Sequence, residues 1–346
     1  MQIARESIFV SAIRSLINSF FAMLGILIGL AIILMFSLFG SKGSEFGDPG
    51  KTKMVIVPDA DGNRVHLPPT APVVLKLKIH GVIGSDKLNT DTIQSTLLST
   101  REGVLKNDRI KAILLDIDSP GGGVTDSDNI YRMLKEYKKK HDIPIYASVN
   151  GLCASGGMMI ACAAEEIYST ESGIIGSVGV RSGPFFNFVG FMDKVGVEAK
   201  TLTAGKNKDT LNPFRKWGAT EGEEISAIGA YDYKYFVDVV VGNRPRIDRK
   251  KLINEYGAGI FDPSKAKEYG YIDEIGDANE ALKALVTKAK IEGDYQVIEI
   301  HHYPSIAAQL LESSTSLFRG KVKHEISDGI DLRDKHGHFR LYLFQP

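Results

Sequence analysis

Cysteine is scarce in this chain: 346 residues carry two thiols, Cys153 and Cys162. Both fall in one run of small apolar residues, which excludes a disulfide framework and any metal-ligand spacing, so both are expected in the core. An excess of one charge is also missing, since 42 Lys plus Arg balance 42 Asp plus Glu. A chain without bulk positive charge is not expected to bind nucleic acid. Two Gly-rich turns lack the Gly-Lys-Ser/Thr that a phosphate loop requires, and neither a metal nor a cofactor is expected. Histidine is absent between 142 and 300. Charge itself is absent between Arg14 and Lys42, where Phe20 to Phe39 is almost wholly Phe, Leu, Ile, Ala, Met and Gly. Roughly 20 apolar residues span a bilayer. A cleaved signal peptide has an apolar core of only about 7 to 15 residues and an A-x-A-like site. Phe36-Ser-Leu-Phe-Gly-Ser-Lys42 offers no such site, and an uncleaved anchor is expected. Arg5 and Arg14 precede the span while Lys42, Lys51 and Lys53 follow it, so flanking charge leaves its orientation open.

That run sets the first boundaries. Residues 1–15 form a short N-terminal segment, 16–40 the anchor, and 41–72 a linker with at most a short strand at Met54 to Val57. A domain over 73–290 and a C-terminal extension over 291–346 follow. Within the domain, strands and helices alternate. Val73 to His80 reads as a strand, Thr90 to Asn107 as a helix, and Ile110 to Ile117 as a buried strand. A helix from Asp126 to Lys140 presents Ile130, Met133, Leu134 and Tyr137 on one face. A strand at Ile143 to Val149, a helix at Ala154 to Ala164 and a short strand near Glu166 to Ser169 continue the pattern. This alternation predicts an α/β fold, a mostly parallel sheet covered by helices. The extension carries a strand at Tyr295 to His301, a helix around Ile306 to Phe318 and a mixed-charge tail. That tail either ends loosely or reaches a neighbouring chain or a groove.

In open α/β sheets, sites collect beyond the carboxyl ends of strands. Two Gly-rich segments lie at such ends, Pro120 to Gly123 and Gly151 to Gly157, and Ser155 sits in the second. Its window reads as strand, tight turn at Asn150-Gly151 and buried helix, with Ser155 at the helix start. Either Ser155 merely caps the helix, or it is a nucleophile served by backbone N–H donors. Gly156 and Gly157 either allow close packing or leave room for a bound peptide. A serine nucleophile needs a base. The histidines offer little: His141 ends a Lys-rich helix and His80, at a strand end, is the best of them. A neutral lysine does the same work if desolvation lowers its pKa from about 10.4 by roughly 3 units, a cost of around 4 kcal/mol. Phe186 to Val195 is helix-like, and a strand from Lys200 leads into a loop holding Lys206 and Lys208, which spacing does not separate.

Asp118-Ser-Pro-Gly-Gly, Ala154-Ser-Gly-Gly-Met-Met-Ile-Ala and Lys208-Asp-Thr-Leu-Asn-Pro, with Gly176-Ser-Val-Gly-Val180 between them, resemble the signal peptide peptidase A family. These are membrane-anchored Ser-Lys proteases of peptidase family S49. The resemblance runs from about Val73 to Ile275 and fades beyond about Lys288. It implies a ClpP/crotonase-like fold, Ser155 as nucleophile and Lys208, the lysine directly before Asp, as general base. It also implies Ser177 orienting the base, and an oxyanion held by the N–H of Gly156 and one from the Gly121-Gly122 turn. Expected substrates are remnant signal peptides and other apolar segments. A single span in a bacterial cytoplasmic membrane, with the catalytic domain outside the cytoplasm, is implied too. So is a homo-oligomeric ring, octameric by the same resemblance. Cys153 and the Met158-Met159 pair depart from many such relatives. A stomatin-linked or SohB-like protease is the nearest alternative. A crotonase-type acyl-CoA enzyme or a silent membrane scaffold are more distant ones.

Overall fold

The computed structural model describes residues 8–39, 52–302 and 340–343, and the chain divides into two compact units. In the first, helix α1 (Ile8–Phe39) runs for 32 residues. Over Ile13–Leu30 it is long and apolar enough to cross a membrane, and none of that window is buried. At 1.5 Å per residue, this stretch and its helical flanks exceed the roughly 30 Å of a hydrocarbon core.

The second unit opens with β1 (Thr52–Val57) and β2 (Val73–His80), followed by α2 (Thr90–Ser99), β3 (Ile110–Ser119) and β4 (Gly121–Gly123). Next come α3 (Val124–His141), β5 (Ile145–Ala154), α4 (Gly156–Ala161), β6 (Glu166–Ser169), β7 (Ile174–Gly176) and β8 (Arg181–Ser182). The chain continues through α5 (Val189–Val195), α6 (Glu223–Asn243), the single turn α7 (Arg249–Lys251), β9 (Ile260–Phe261), α8 (Pro263–Tyr269) and β10 (Glu274–Ile275). It closes with α9 (Ala278–Lys288), β11 (Gln296–His302) and β12 (Arg340–Leu343). The expected helix around 306–318 lies outside the described residues.

The main sheet runs β1-β11-β2-β3-β5-β6-β10, with β7 beside the far end of β5 and β9 beside β7. From β11 to β10 the pairings are parallel; β1 is antiparallel at the edge. Alternating residues along each strand face opposite sides. Leu75, Leu77, Ile79, Ile113, Leu115, Ile117, Ala147 and Val149 join one core with Ile130 and Leu134 of α3 and Met158 to Ala164 in and after α4. Val74, Ala112, Leu114, Tyr146 and Val297 face the other way and are covered by Ala281, Leu282 and Leu285 of α9. Toward the carboxyl ends this second face turns polar. There Asp116 is buried, with Lys76 Nζ at 3.2 Å and His80 Nε2 at 3.4 Å from its carboxylate.

Helix α2 starts on a capping box made by Asn89 and Thr92, the arrangement that satisfies two otherwise orphaned N–H groups. It ends at Ser99 rather than at the expected Asn107. Gly103, Asn107 and Asp108 all take positive φ, which turns the chain into β3 and is incompatible with continued helix.

Candidate active site

The site grows from a bulge. Strands β3 and β5 pair Ile117 with Val149 and then Ser119 with Cys153, so three residues of β5 oppose Asp118 alone. An Asp118 carboxylate oxygen accepts the Leu152 N–H at 2.9 Å. A Cβ on Gly151 would meet that oxygen at 2.4 Å. The Asn150-Gly151 dipeptide is therefore a bulge within a continuing strand, not the expected turn. Asn150 Nδ2 donates to Asp116 at 2.5 Å and pins the bulge from the polar face.

Beyond the bulge, Ala154 pairs with Gly176 of β7. The Ser155 N–H donates to the Gly176 carbonyl at 2.9 Å, and the Ser155 carbonyl accepts the Met159 N–H at 3.1 Å, opening α4. Between these bonds Ser155 holds φ 55° and ψ −119°, a conformation costly for any residue with a Cβ and concentrated at functional sites. Its backbone occupies the cap position, but its hydroxyl makes no capping bond to the helix. The capping reading thus fails, and Ser155, 1% exposed, is placed by backbone alone. The two glycines after it serve packing: a Cβ on Gly156 would strike Ser127 Oγ at 2.2 Å, and one on Gly157 would meet the Ser119 carbonyl at 3.0 Å.

The second Gly-rich segment is equally constrained. Ile83 donates its N–H to the Gly121 carbonyl at 2.9 Å and accepts the Gly123 N–H at 2.8 Å. A Cβ on Gly122 would lie 1.9 Å from the Ile83 carbonyl oxygen. Because neighbouring residues of a strand point their polar groups to alternate edges, the N–H and carbonyl of Gly122 face away from Ile83. The Gly121 N–H donates to Ser119 Oγ at 3.1 Å, and that hydroxyl donates to the Gly81 carbonyl at 2.7 Å. Ser119 and Ile83 thus shape the turn. Ser119 lies inside the Asp118-Ser-Pro-Gly-Gly motif, whereas nothing in the local sequence marks Ile83.

Ser177 follows directly on Gly176, is buried, and holds φ 53° while its N–H donates to the Gly259 carbonyl at 2.7 Å. The structure therefore brings together Ser155, Gly156, Ser177 and, beside β3, Gly121 and Gly122. Lys208 is elsewhere in character: it is exposed, as is Lys206, in a turn between Gly205 and Leu211. Among the described residues no hydrogen bond or ion pair joins it to Ser155 or Ser177. Its turn is held by its neighbours. Arg215 binds both Asp209 (3.1 Å) and Glu221 (2.9 Å), Asn207 donates to Glu224, and Trp217 Nε1 donates to the Asn212 carbonyl at 2.8 Å. The strand expected from Lys200 does not form. Lys200 to Gly205 is exposed, and a strand needs a neighbour to pair with.

The rival groups are accounted for. His80 turns to Asp116, and His141 packs on Tyr137 with ring centroids 4.5 Å apart. Burial works against the Asp116 carboxylate, but the His80 hydrogen bond and the Lys76 charge prevail and hold its pKa down at about 2. Burial pushes the Cys153 thiol up and the Cys162 thiol up to about 12. Both sulfurs are therefore protonated near neutral pH and neither is a nucleophile.

The model for Peptidase family S49 matches residues 137–292, and the model for Clp protease matches residues 83–172. A protein of Enterococcus faecium named as a signal peptide peptidase SppA is 32% identical over 65% of this chain and 66% of its own length. One of Methanocaldococcus jannaschii named as a protease is 32% identical over 62% of this chain and 64% of its own. A third, of Synechocystis and also named as a protease, is 34% identical over 56% of this chain and 71% of its own. The fold is the α/β type of Clp proteases, and the chain belongs to peptidase family S49. With its N-terminal apolar helix it is a membrane-associated member, and it spans about two thirds of the length of the first two relatives.

Proposed function

We propose that the chain is a serine endopeptidase working by a Ser155–Lys208 dyad. The observation that carries this reading is Ser155 itself, held at positive φ between two backbone hydrogen bonds with its hydroxyl uncommitted to the helix. Lys208, uncharged, takes the Ser155 proton as Oγ attacks a peptide carbonyl. The N–H of Gly156 and one from the Gly121-Gly122 turn then stabilise the tetrahedral oxyanion, each donor contributing roughly 3 to 4 kcal/mol. Lysinium protonates the leaving amine, water hydrolyses the acyl-enzyme, and Ser177 orients the base. Substrates are remnant signal peptides and other apolar segments, bound as extended strands. Residues 73–290 carry the chemistry. Anchor residues 16–40 and linker 41–72 hold it in the bacterial cytoplasmic membrane by a single pass, with the catalytic domain outside the cytoplasm.

The lysine is completed by assembly. An amine acts as a base only when uncharged, and burial favours that form; Lys208 is exposed in the single chain. The segment around it also exposes Phe186, Phe191, Val197, Leu202 (84% exposed) and Phe214. A large exposed apolar surface marks an interface, and here a homo-oligomeric ring covers it.

The test is cleavage of signal-sequence peptides by the full chain in detergent, read by mass spectrometry. Wild type and Lys206→Ala are expected to cut, while Ser155→Ala and Lys208→Ala lose at least about 10³-fold in rate. Cutting by Ser155→Ala at the wild-type rate refutes the nucleophile; cutting by Lys208→Ala refutes the base.

A further inference from the structure

The two proposed oxyanion donors come from different elements. The Gly156 N–H belongs to the first turn of α4, and the other belongs to the glycine strand β4. Within β4 the backbone groups of both outer glycines are committed. The Gly121 N–H donates to Ser119 Oγ at 3.1 Å, and its carbonyl accepts the Ile83 N–H at 2.9 Å. The Gly123 N–H donates to the Ile83 carbonyl at 2.8 Å, and its own carbonyl accepts a bond from Ser127 Oγ at 2.8 Å. Gly122, fixed between them, is left as the donor of this turn. Donors stabilise an oxyanion when they lie about 2.7 to 3.1 Å from where its charge develops. The separation of Gly122 from Gly156 is therefore a dimension that catalysis depends on.

One side chain touches both sides of that separation. Ser127, in the first turns of α3, is fully buried. A serine that bonds the carbonyl four residues back is ordinary in a helix. Here the same oxygen also stands 2.2 Å from where a Cβ on Gly156 would be, with Ser127 Cβ at 3.2 Å and Ile83 Cδ1 at 3.2 Å from that point. The two residues that bond Gly123 are thus the two that close on Gly156. At the base of the site, the pairing of Ser119 with Cys153 already ties β3 to β5. Above that pairing β5 gives way to helix α4, and side chains rather than a strand ladder hold it against β4.

We infer that Ser127 is a positioning residue of the peptidase reaction, its hydroxyl being the spacer that sets the distance between the Gly122 and Gly156 donors. This rests on the reading of Ser155 as nucleophile and of these glycines as oxyanion donors. Without the hydroxyl, the Gly123 carbonyl loses a bond and Gly156 gains a void beside it, so the donors settle away from their optimum. A ground-state carbonyl carries little charge and the tetrahedral oxyanion carries a full one. The loss accordingly falls on kcat rather than on KM.

The test uses the full chain in detergent with a peptide substrate, the peptide aldehyde of the same acyl sequence and the matching peptide alcohol. With the aldehyde, Ser155 Oγ adds to the carbonyl carbon, its proton passes to Lys208, and the carbonyl electron pair moves onto the oxygen that enters the hole. The alcohol forms no such adduct. Ser127→Ala is expected to lower kcat about 10-fold and to weaken aldehyde inhibition by the same factor, a part of the roughly 10² to 10³ that a whole donor supplies. KM and alcohol binding stay within about twofold. A residue that only stabilises the fold would leave all four unchanged or weaken aldehyde and alcohol alike. A second measurement needs no catalysis. Gly156→Ala and Ser127→Gly are each expected to lower the urea midpoint, and the double variant to lose less than the two shifts added, because the shortened side chain makes room for the new Cβ. Unchanged kcat in Ser127→Ala, equal weakening of aldehyde and alcohol, or additive urea shifts each overturn the proposal while the peptidase reading stands. If the wild-type chain neither cuts the peptide nor takes the aldehyde, the peptidase reading itself fails, and the spacing role falls with it.

Discussion

At the scale of single residues, the site is built mostly from groups that perform no chemistry. Gly122 is fixed by what its missing side chain avoids, a carbonyl oxygen 1.9 Å from where Cβ would stand. That oxygen belongs to backbone that already accepts the Gly123 N–H, so it cannot swing aside cheaply. Gly122→Ala is expected to lose about 2 to 4 kcal/mol in denaturant unfolding, in the range of overpacked and strained sites. Gly190→Ala, with nothing within 4 Å of the new carbon, changes it by less than about 0.5 kcal/mol. Equal losses would mean the glycine turn is softer than its hydrogen bonds imply. Asp116 gives a second test, through pH. Its folded pKa of about 2 lies below the ordinary carboxylate value. It therefore adds stability that is fully present above about pH 4 and lost as pH falls from there toward 2. The wild-type chain should lose on the order of 1 to 2 kcal/mol more over that window than Asp116→Asn, measured by unfolding at each pH. Parallel curves would show that Lys76 and His80 contribute nothing to holding this carboxylate.

At the scale of elements, what was legible in the sequence depended on how local its cause was. Strands β2 and β6 and helix α3 announced themselves through periodicity, because alternation or a 3.6-residue stripe follows when one face is more buried than the other, while β3, buried on both faces, showed as an unbroken apolar run. The two Gly-rich strand ends were legible for the same reason, as breaks in apolar runs. Asn150-Gly151 was misread because its partner, the Asp118 carboxylate, comes from another strand; the dipeptide alone signals a turn. The helix after Ser155 is shorter than its apolar run suggests, Gly156–Ala161. Burial of Cys162, Ala163 and Ala164 shows that apolar character there serves the core rather than the helix. Lys200 to Gly205 fails as a strand for the opposite reason: it has β-compatible residues and no edge to pair with. The strands at 52–57 and 296–302, though far apart in sequence, pair with each other from Thr52↔His302 to Val57↔Val297. That pairing could not be read from either segment by itself, since an edge strand's register is set by the sheet it joins.

At the scale of the whole molecule, the exposed lysine and the exposed apolar segment are, on the reading proposed above, one problem with one solution. Ser155 is buried and backbone-fixed, while Lys208 stands in solvent on the stretch that also exposes Phe186, Phe191, Leu202 and Phe214. A hydrophobic face of this kind is stabilised by burial at about 25 cal/mol per Å², and a second copy covering it, as proposed above, would desolvate Lys208 in the same step. If the base reaches its neighbour's serine, two chains that are each inactive should repair one another. Ser155→Ala and Lys208→Ala proteins, purified separately in detergent, are therefore mixed and assayed for peptide cleavage. A site pairing an intact Ser155 from one chain with an intact Lys208 from the other forms at about a quarter of interfaces in a random mixture. Activity should accordingly rise from near zero toward about a quarter of wild type after subunit exchange. Adding Leu202→Asp to both proteins places a charge in the apolar face and should abolish the recovery, with a matching loss of oligomer by light scattering. If the mixture stays inactive while the oligomer forms and exchanges, each chain supplies its own lysine. Closure of the 200–215 segment over Ser155 within one chain would then be what activates the base.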